Sequence, residues 1–376
     1  MRVALLHPYF VNQRGGERLF YTLCQMYPEA DIYALLADLN TQPEWLRSRH
    51  VSTTFAQRLP YSAKLFTQYF FLYPLAVEQI DLRSYDLIVS SSSAWMHGAL
   101  APAEAVHICY CHSPFRYAWS WYNEFIGGRS SHSPSRLVLS LLLHRIRTWD
   151  FAAAQRVDHF IANSHVTKRR IARYFRRDST VIHPPVEVDR FRVGEGSGDY
   201  FLVASGLVKY KKVEAAIRAF NQLGLKLLVV GDGPERAALQ KMAQPNVVFL
   251  GGVPDAQLSE LYSGCKALIF TAEEDFGIVP VEAQAAGRPV IAYRRGGALE
   301  TVREGETGLF FDEQTPDAIV DAIGRFDPSR FDRHAIRAHA KRFSREVFAQ
   351  KLTEFVNSKL EDHKRHASAQ LLSSRT

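Results

Sequence analysis

After the apolar run 266-KALIF-270 the chain places three acids, Glu273, Glu274 and Asp275, then Phe276-Gly277, Pro280 and a further carboxylate at Glu282. Carboxylates at the edge of a buried strand lose solvation unless something polar meets them. Pro280 suits the first turn of a helix, which turns the amides of Gly277, Ile278 and Val279 toward any oxygen-rich ligand. Glu282, in or near that first turn, can accept two hydroxyl hydrogen bonds, the task an acid performs for a ribose diol. Glu274, still in the loop, would reach a different part of the same ligand. The bare spacing E-x7-E says little, and a glutamate near a helix start is favourable by itself. The order strand, acids, glycine, proline, helix is what makes the signal specific.

Other stretches offer the opposite charge. In 12-NQRGGERLF-20, Gly15 and Gly16 open a helix with no side chain in the way, a ready anion site or else a plain glycine turn. It is not G-x-G-x-x-G, so the nicotinamide fingerprint is absent. Lys211 and Lys212 precede the helical pattern 213-VEAAIRAFNQL-223, where the helix dipole disfavours cations. A bound polyanion explains them, with Lys211 neutralising a departing diphosphate; a solvated lysine pair is the alternative. His112 ends the run 106-VHICYCH-112 and by itself reads as a structural hydrogen-bonder. No D-x-D cluster for a metal occurs, and Glu187-x-Asp189 is the nearest approach.

These residues need a frame that brings them together. Short apolar runs at 3–8, 31–35, 86–92, 106–112 and 159–164, then at 200–206, 226–233, 246–252, 267–271 and 289–293, alternate with helical patterns. Runs without polar alternation suit strands covered on both faces, hence parallel sheets crossed over by helices. At 376 residues the chain exceeds one ordinary core. The prolines, glycines and charges of 182-IHPPVEVDRFRVGEGSGDY-200 break the pattern, so two doubly wound α/β domains are expected, with a hinge over 184–198 that closes on a ligand. The domains are drawn as 1–190 and 191–342, followed by an amphipathic helix over 343–360 returning to the first domain and a fraying tail over 361–376. In such sheets ligands sit at the carboxyl ends of strands, where nearly every unusual residue here falls.

The longest apolar runs, 69-YFFLYPLAV-77 and 137-LVLSLLL-143, are too short to span a bilayer, and the N-terminus does not read as a signal peptide. Four cysteines without metal spacing read as reduced core thiols of a cytoplasmic protein. The net charge of +7 favours an anionic partner; nucleic acid, acidic lipid and phosphorylated substrates all qualify. The basic stretch 165-HVTKRRIARYFRRDST-180 spreads around a helix as a solvated face or a contact with an acidic membrane surface, helped by the aromatic 65-LFTQYFFLYP-74. Neither half carries the pattern of an RNA-binding module.

The segment 274-EDFGIVPVEAQAAGRPVIAYRRGGALETVREGETGLFF-311, with 15-GGE-17, 163-NS-164, 181-VIHPPVEVDRF-191 and 229-VVGDGPE-235, resembles the donor-site signature of the retaining glycosyltransferases of family 4, over residues 1–360. Within the family, 205-SGLVKYKK-212 and 109-CYCHSPFRYAW-119 are most similar to bacterial O-antigen mannosyltransferases that use GDP-mannose. The resemblance implies the GT-B fold, two Rossmann-like domains facing across a cleft. It implies a hexosyltransferase working without metal or cofactor, at the inner face of the plasma membrane or in the cytoplasm, on a glycan or lipid-linked glycan acceptor. It implies that Glu282 holds the ribose, Glu274 the donor sugar, and the backbone of Phe276, Gly277, Ile278 and Val279 sugar and phosphate. Lys211 and the amides of Gly15 and Gly16 would hold the diphosphate, and His112 would lie beside the donor sugar. Many members carry an arginine where this chain has Gly206, which leaves more phosphate charge to Lys211, or a share to Lys209 or Lys212. A nucleotide-sugar epimerase and a non-catalytic scaffold of the same fold are the alternatives.

Overall fold

The structure is a computed structural model describing residues 1–11, 15–127, 133–195 and 198–373. Two compact units emerge, one of residues 1–183 with the chain from Ala349 onward, the other Pro184–Phe348. The sequence reading had drawn these divisions at 190/191 and 342/343. Val186, Val188 and Phe191 are the reason for the earlier boundary: they are buried in the second unit's core. Of the expected hinge, residues 196–197 lie outside the described residues.

The first unit holds a seven-stranded sheet: β1 (Val3–Phe10), β2 (Asp31–Ala37), β3 (Val51–Thr53), β4 (Leu87–Ser92), β5 (Val106–Cys111), β6 (His159–Ala162) and β7 (Ser179–Val181). The spatial order is 3-2-1-4-5-6-7, and every pairing is parallel. The second unit holds six strands, β8 (Tyr200–Ala204), β9 (Lys226–Val230), β10 (Val247–Gly251), β11 (Leu268–Phe270), β12 (Val290–Tyr293) and β13 (Gly308–Phe311), in the order 10-9-8-11-12-13, again all parallel. Both are doubly wound, and each reverses direction once, between β1 and β4 and between β8 and β11. Such a reversal opens a crevice outside the strands' carboxyl ends. β4 and β5 are buried along their whole length, as the lack of polar alternation requires.

The four cysteines are buried and unbridged, and burial pushes the Cys109 thiol up to about 12. The last helix runs Arg345–Ser373, past residue 360 where the sequence reading ended it and set a fraying tail; 374–376 lie outside the described residues. Asp362 explains part of the extension, pairing with Lys359 (3.5 Å) and Arg365 (2.8 Å) one turn away. His363 Nε2 meets the Glu104 carbonyl at 3.2 Å, and Phe355 lies against His159, so this helix packs on the first unit. Among the described residues no helix is long and apolar enough to cross a membrane.

Candidate active site

In the second unit the two loops that flank the sheet's reversal carry the expected residues. Lys211 lies in a short 3-10 turn after β8, and Glu274 in the loop after β11. They pair with each other, the Lys211 ammonium meeting Glu274 Oε1 with both side chains mostly shielded (15% and 24% exposed). The sequence reading assigned these two groups to different parts of a ligand; in the structure each is a counter-ion of the other. Thr271 fixes the pair's geometry by donating its hydroxyl to the Lys211 carbonyl at 2.6 Å, while Gln314 holds the Thr271 carbonyl at 2.7 Å. Lys212 caps the helix Val213–Leu223 in a left-handed conformation (φ 55°), a strained position for a lysine.

Glycines set the loop heights. Gly297 N–H donates to the Glu274 carbonyl at 2.8 Å, and a Cβ on Gly297 would sit 2.1 Å from the Phe276 carbonyl oxygen. The pair Gly296-Gly297 is therefore what lets the acidic loop lie flat against the turn after β12. In 231-GDG-233 a Cβ on Gly231 would sit 1.9 Å from the Ser205 carbonyl oxygen, so this turn packs against the loop leading to Lys211. At Gly206 a Cβ would meet nothing within 4 Å, so the missing arginine is not a steric necessity.

The helix Ile278–Ala285 starts as predicted, with Gly277 at its cap in a left-handed conformation (φ 83°). Helix geometry leaves the amides of Ile278 and Val279 without an intrahelical acceptor. Phe276 is buried against Phe343, which anchors the loop in the core. Glu282 is only 6% exposed. Its Oε1 accepts from Arg190 Nη2 at 3.2 Å and its Oε2 from the Tyr262 hydroxyl at 3.1 Å. Burial, then the Glu282 carboxylate, holds the Tyr262 phenol well above its ordinary pKa, so it remains a donor. Arg190 also pairs with Asp255. The seat fixes the Glu282 carboxylate in place. Sequence reasoning missed both partners: Arg190 stood in the supposed linker and Tyr262 in a crossover helix.

In the first unit the helix Gly15–Met26 begins at the glycine pair; Asn12, Gln13 and Arg14 lie outside the described residues. A Cβ on Gly16 would stand 3.8 Å from His7 Cε1 and 3.9 Å from His112 Nε2, so both imidazoles border the helix start. Ser91 Oγ bridges them, at 3.2 Å from His7 Nδ1 and 2.9 Å from His112 Nε2. A hydroxyl carries a single proton, so at least one imidazole faces it with an N–H. Burial, then the nearby His112, pushes the His7 pKa well below its usual value, which keeps His7 neutral. The His112 carbonyl accepts from Asn163 Nδ2 and Thr167 Oγ1, each at 3.1 Å, and Ser164 Oγ caps the next helix by accepting from the Thr167 amide at 3.1 Å. His7, β1, and Ser91, β4, were legible only as strand residues.

The basic stretch 165–180 divides. Arg177 donates to the carbonyls of Ala154, Gln155, Val157 and Asp158 and is a structural tie. Lys168, Arg169, Arg173 and Arg176 are exposed.

Residues 13–190 match the family model described as Glycosyltransferase Family 4, and residues 186–343 match Glycosyl transferases group 1. The chain belongs to the family 4 glycosyltransferases. Among curated relatives of this glycosyltransferase, the GDP-mannose-dependent alpha-(1-6)-phosphatidylinositol monomannoside mannosyltransferase of Mycolicibacterium smegmatis is 33% identical over 201 residues, covering 44% of this chain and 53% of the relative. The D-inositol 3-phosphate glycosyltransferase of Streptomyces scabiei is 29% identical over 249 residues, 56% of each chain. The chain thus spans about half the length of these curated relatives. Among solved structures, HepE of Anabaena in complex with UDP superposes with a TM-score of 0.71 at 18% identity, over 95% of this chain and 100% of HepE. Sucrose-phosphate synthase of Thermosynechococcus elongatus gives 0.71 at 17% identity, over 96% and 100%. At those identities the superpositions establish the GT-B fold.

Proposed function

We propose that this glycosyltransferase moves a mannosyl group from GDP-mannose to a hydroxyl of a glycan, or of a glycan carried on a lipid, with retention of anomeric configuration. The observation that carries the reading is the pairing of Lys211 with Glu274 at the reversal of the second sheet, beside a helix start that holds Glu282 in a buried seat. A cation and a set of amide donors there match a diphosphate, and the two carboxylates match a sugar and a ribose. Support for mannose and guanosine comes from the mannosyltransferases among the relatives.

The bond from the anomeric carbon to the diphosphate oxygen breaks, and a bond to the acceptor oxygen forms on the same face. The acceptor's proton passes to the leaving diphosphate. Charge develops on that diphosphate while the sugar becomes oxocarbenium-like, so the protein must favour both. Lys211 and the amides at 277–279 are assigned to the diphosphate, Glu274 to the sugar hydroxyls and Glu282 to the ribose. For the first unit, His112 is assigned to the donor sugar and the amides of Gly15 and Gly16 to phosphate. In this reading cationic side chains and amides neutralise the leaving group, with no metal and no cofactor.

The test is nucleoside diphosphate release from GDP-mannose, GDP-glucose, UDP-glucose and UDP-galactose, with and without an alkyl mannoside acceptor, and with the product anomer assigned by NMR. GDP-mannose consumption that needs acceptor and yields an α-mannoside is expected, with Glu274→Ala folded and inactive. Donor interconversion without acceptor would instead establish an epimerase, and an active Glu274→Ala protein would remove the role given to that residue.

A further inference from the structure

Three serines in a row, Ser90, Ser91 and Ser92, lie on β4 in the middle of the first unit's sheet, and all three are buried. A buried hydroxyl is costly unless it is paired, and each of these meets a histidine. Ser90 Oγ lies 2.8 Å from His107 Nε2, and Ser92 Oγ lies 3.1 Å from His97 Nδ1. Ser91 Oγ joins His7 Nδ1 to His112 Nε2. Alternation along a strand puts Ser91 on the opposite face from its two neighbours. His107 and His97 are buried as deeply as their serines, so those two contacts end inside the core. His112 is only partly buried and borders the start of the helix Gly15–Met26. Of the three contacts, the one through Ser91 leads from the core toward the crevice at the strands' carboxyl ends.

The backbone of His112 is clamped at both ends. Its amide donates to the Ser92 carbonyl at 2.8 Å, and its carbonyl accepts from Asn163 and Thr167. Ser91 adds a grip on the ring. A hydrogen bond at one imidazole nitrogen fixes both the orientation and the tautomer of a histidine. His7 sets the direction of that bond. Burial, then the nearby His112, keeps His7 neutral, so its Nδ1 is either a donor or an acceptor. Where His7 Nδ1 donates to Ser91, the serine's proton is left for His112 Nε2. Where His7 Nδ1 accepts that proton, His112 Nε2 donates to the serine. His7 is 4% exposed and Ser91 0%, so neither side chain reaches a ligand itself.

We propose that Ser91 and His7 are positioning residues for glycosyl transfer: they set the orientation and tautomer of His112 and act on the reaction only through it. The inference rests on the reading that puts His112 beside the donor sugar. The alternative role for His7 is packing, as a ring between Phe10 (5.1 Å) and Phe20 (4.8 Å). The two roles make opposite demands on substitution. His7→Asn keeps a polar atom near the position of Nδ1 and loses the ring, whereas His7→Phe keeps the ring and loses the polar atom.

Steady-state turnover of GDP-mannose with an alkyl mannoside is measured on the full chain, and the His112 ring is followed by imidazole nitrogen NMR, assigned against His112→Gln. In the wild type His112 is expected to give the signal of one tautomer. Ser91→Ala and His7→Phe are expected to turn that signal into a tautomer average and to lower kcat about ten- to a hundredfold, with KM for GDP-mannose changed less than about threefold. His7→Asn should keep kcat within about threefold of the wild type. Ser90→Ala removes the corresponding contact on the other face, and should lower the denaturation midpoint while leaving kcat unchanged. A His112 signal that Ser91→Ala leaves unaltered overturns the proposal. So does His7→Phe turning over as fast as the wild type, or Ser90→Ala losing as much kcat as Ser91→Ala. Wild-type protein that turns over no GDP-mannose refutes the donor reading, and the NMR signal still decides the role of Ser91 and His7. A His112→Gln protein as active as the wild type removes the role of His112, and the proposal with it.

Discussion

Replacing Glu274 by glutamine should strengthen the binding of GDP while abolishing transfer. The Lys211 ammonium is engaged by Glu274, and both side chains are largely shielded from water. A diphosphate that takes Lys211 must break this pair and accept a carboxylate close to its own charge. Hydrogen bonds to charged groups contribute about 1.5–3 kcal/mol when buried, and exposed pairs contribute about 0–1 kcal/mol. The partial shielding here puts the cost at about 1–2 kcal/mol, a factor of about 5–30 in affinity. The Glu274→Gln side chain would keep the shape but lose the charge, so GDP should bind to the variant about 5–30-fold more tightly. GDP-mannose turnover should nonetheless fall below detection, because the sugar loses its carboxylate acceptor. Isothermal titration of GDP into both proteins reads the first effect, and product formation reads the second. Equal or weaker GDP affinity in Glu274→Gln would refute the idea that the two groups restrain each other.

Tyr262→Phe removes a donor to Glu282 and keeps the ring against Phe191. It should lower stability by about 1.5–3 kcal/mol in urea denaturation and weaken nucleotide binding in titration. Gly297→Ala would force its Cβ to 2.1 Å from the Phe276 carbonyl oxygen, so the acidic loop must move. A loss of about 1–3 kcal/mol and failure to bind GDP-mannose are expected, read by denaturation and calorimetry. Acid should destabilise the first unit. Burial lowers the His107 pKa to about 3 and depresses His7 as well. Between the ordinary histidine value of about 6.5 and pH 3 the unfolded chain binds a proton that the native state refuses, so stability falls as pH falls through that window. From about pH 6.5 to about pH 5, His107 alone accounts for about 2 kcal/mol, measurable as a drop in denaturant midpoint.

The fold was legible because parallel strands buried on both faces leave apolar runs without polar alternation, and β8, β9 and β11 read that way most plainly. Short edge strands were not. β3 and β7 have three residues each, too few to show a period. Glu274, Glu282, Lys211 and the start of the helix Ile278–Ala285 were legible because acids, glycine and proline interrupt apolar sequence in a fixed order. Their partners were not, since Arg190 lies 92 residues from Glu282, and only strand order brings Ser91 between His7 and His112.

In the proposed reading the second unit grips a nucleoside diphosphate sugar through Glu282 and Lys211. Calorimetric titration of GDP-mannose into wild-type protein and into Glu282→Ala tests it most directly. Saturable one-site binding to the wild type, weakened at least about tenfold in the variant, is the predicted result. Wild-type protein that binds no nucleotide sugar, or a folded Glu282→Ala protein that binds GDP-mannose as tightly as the wild type, would contradict it.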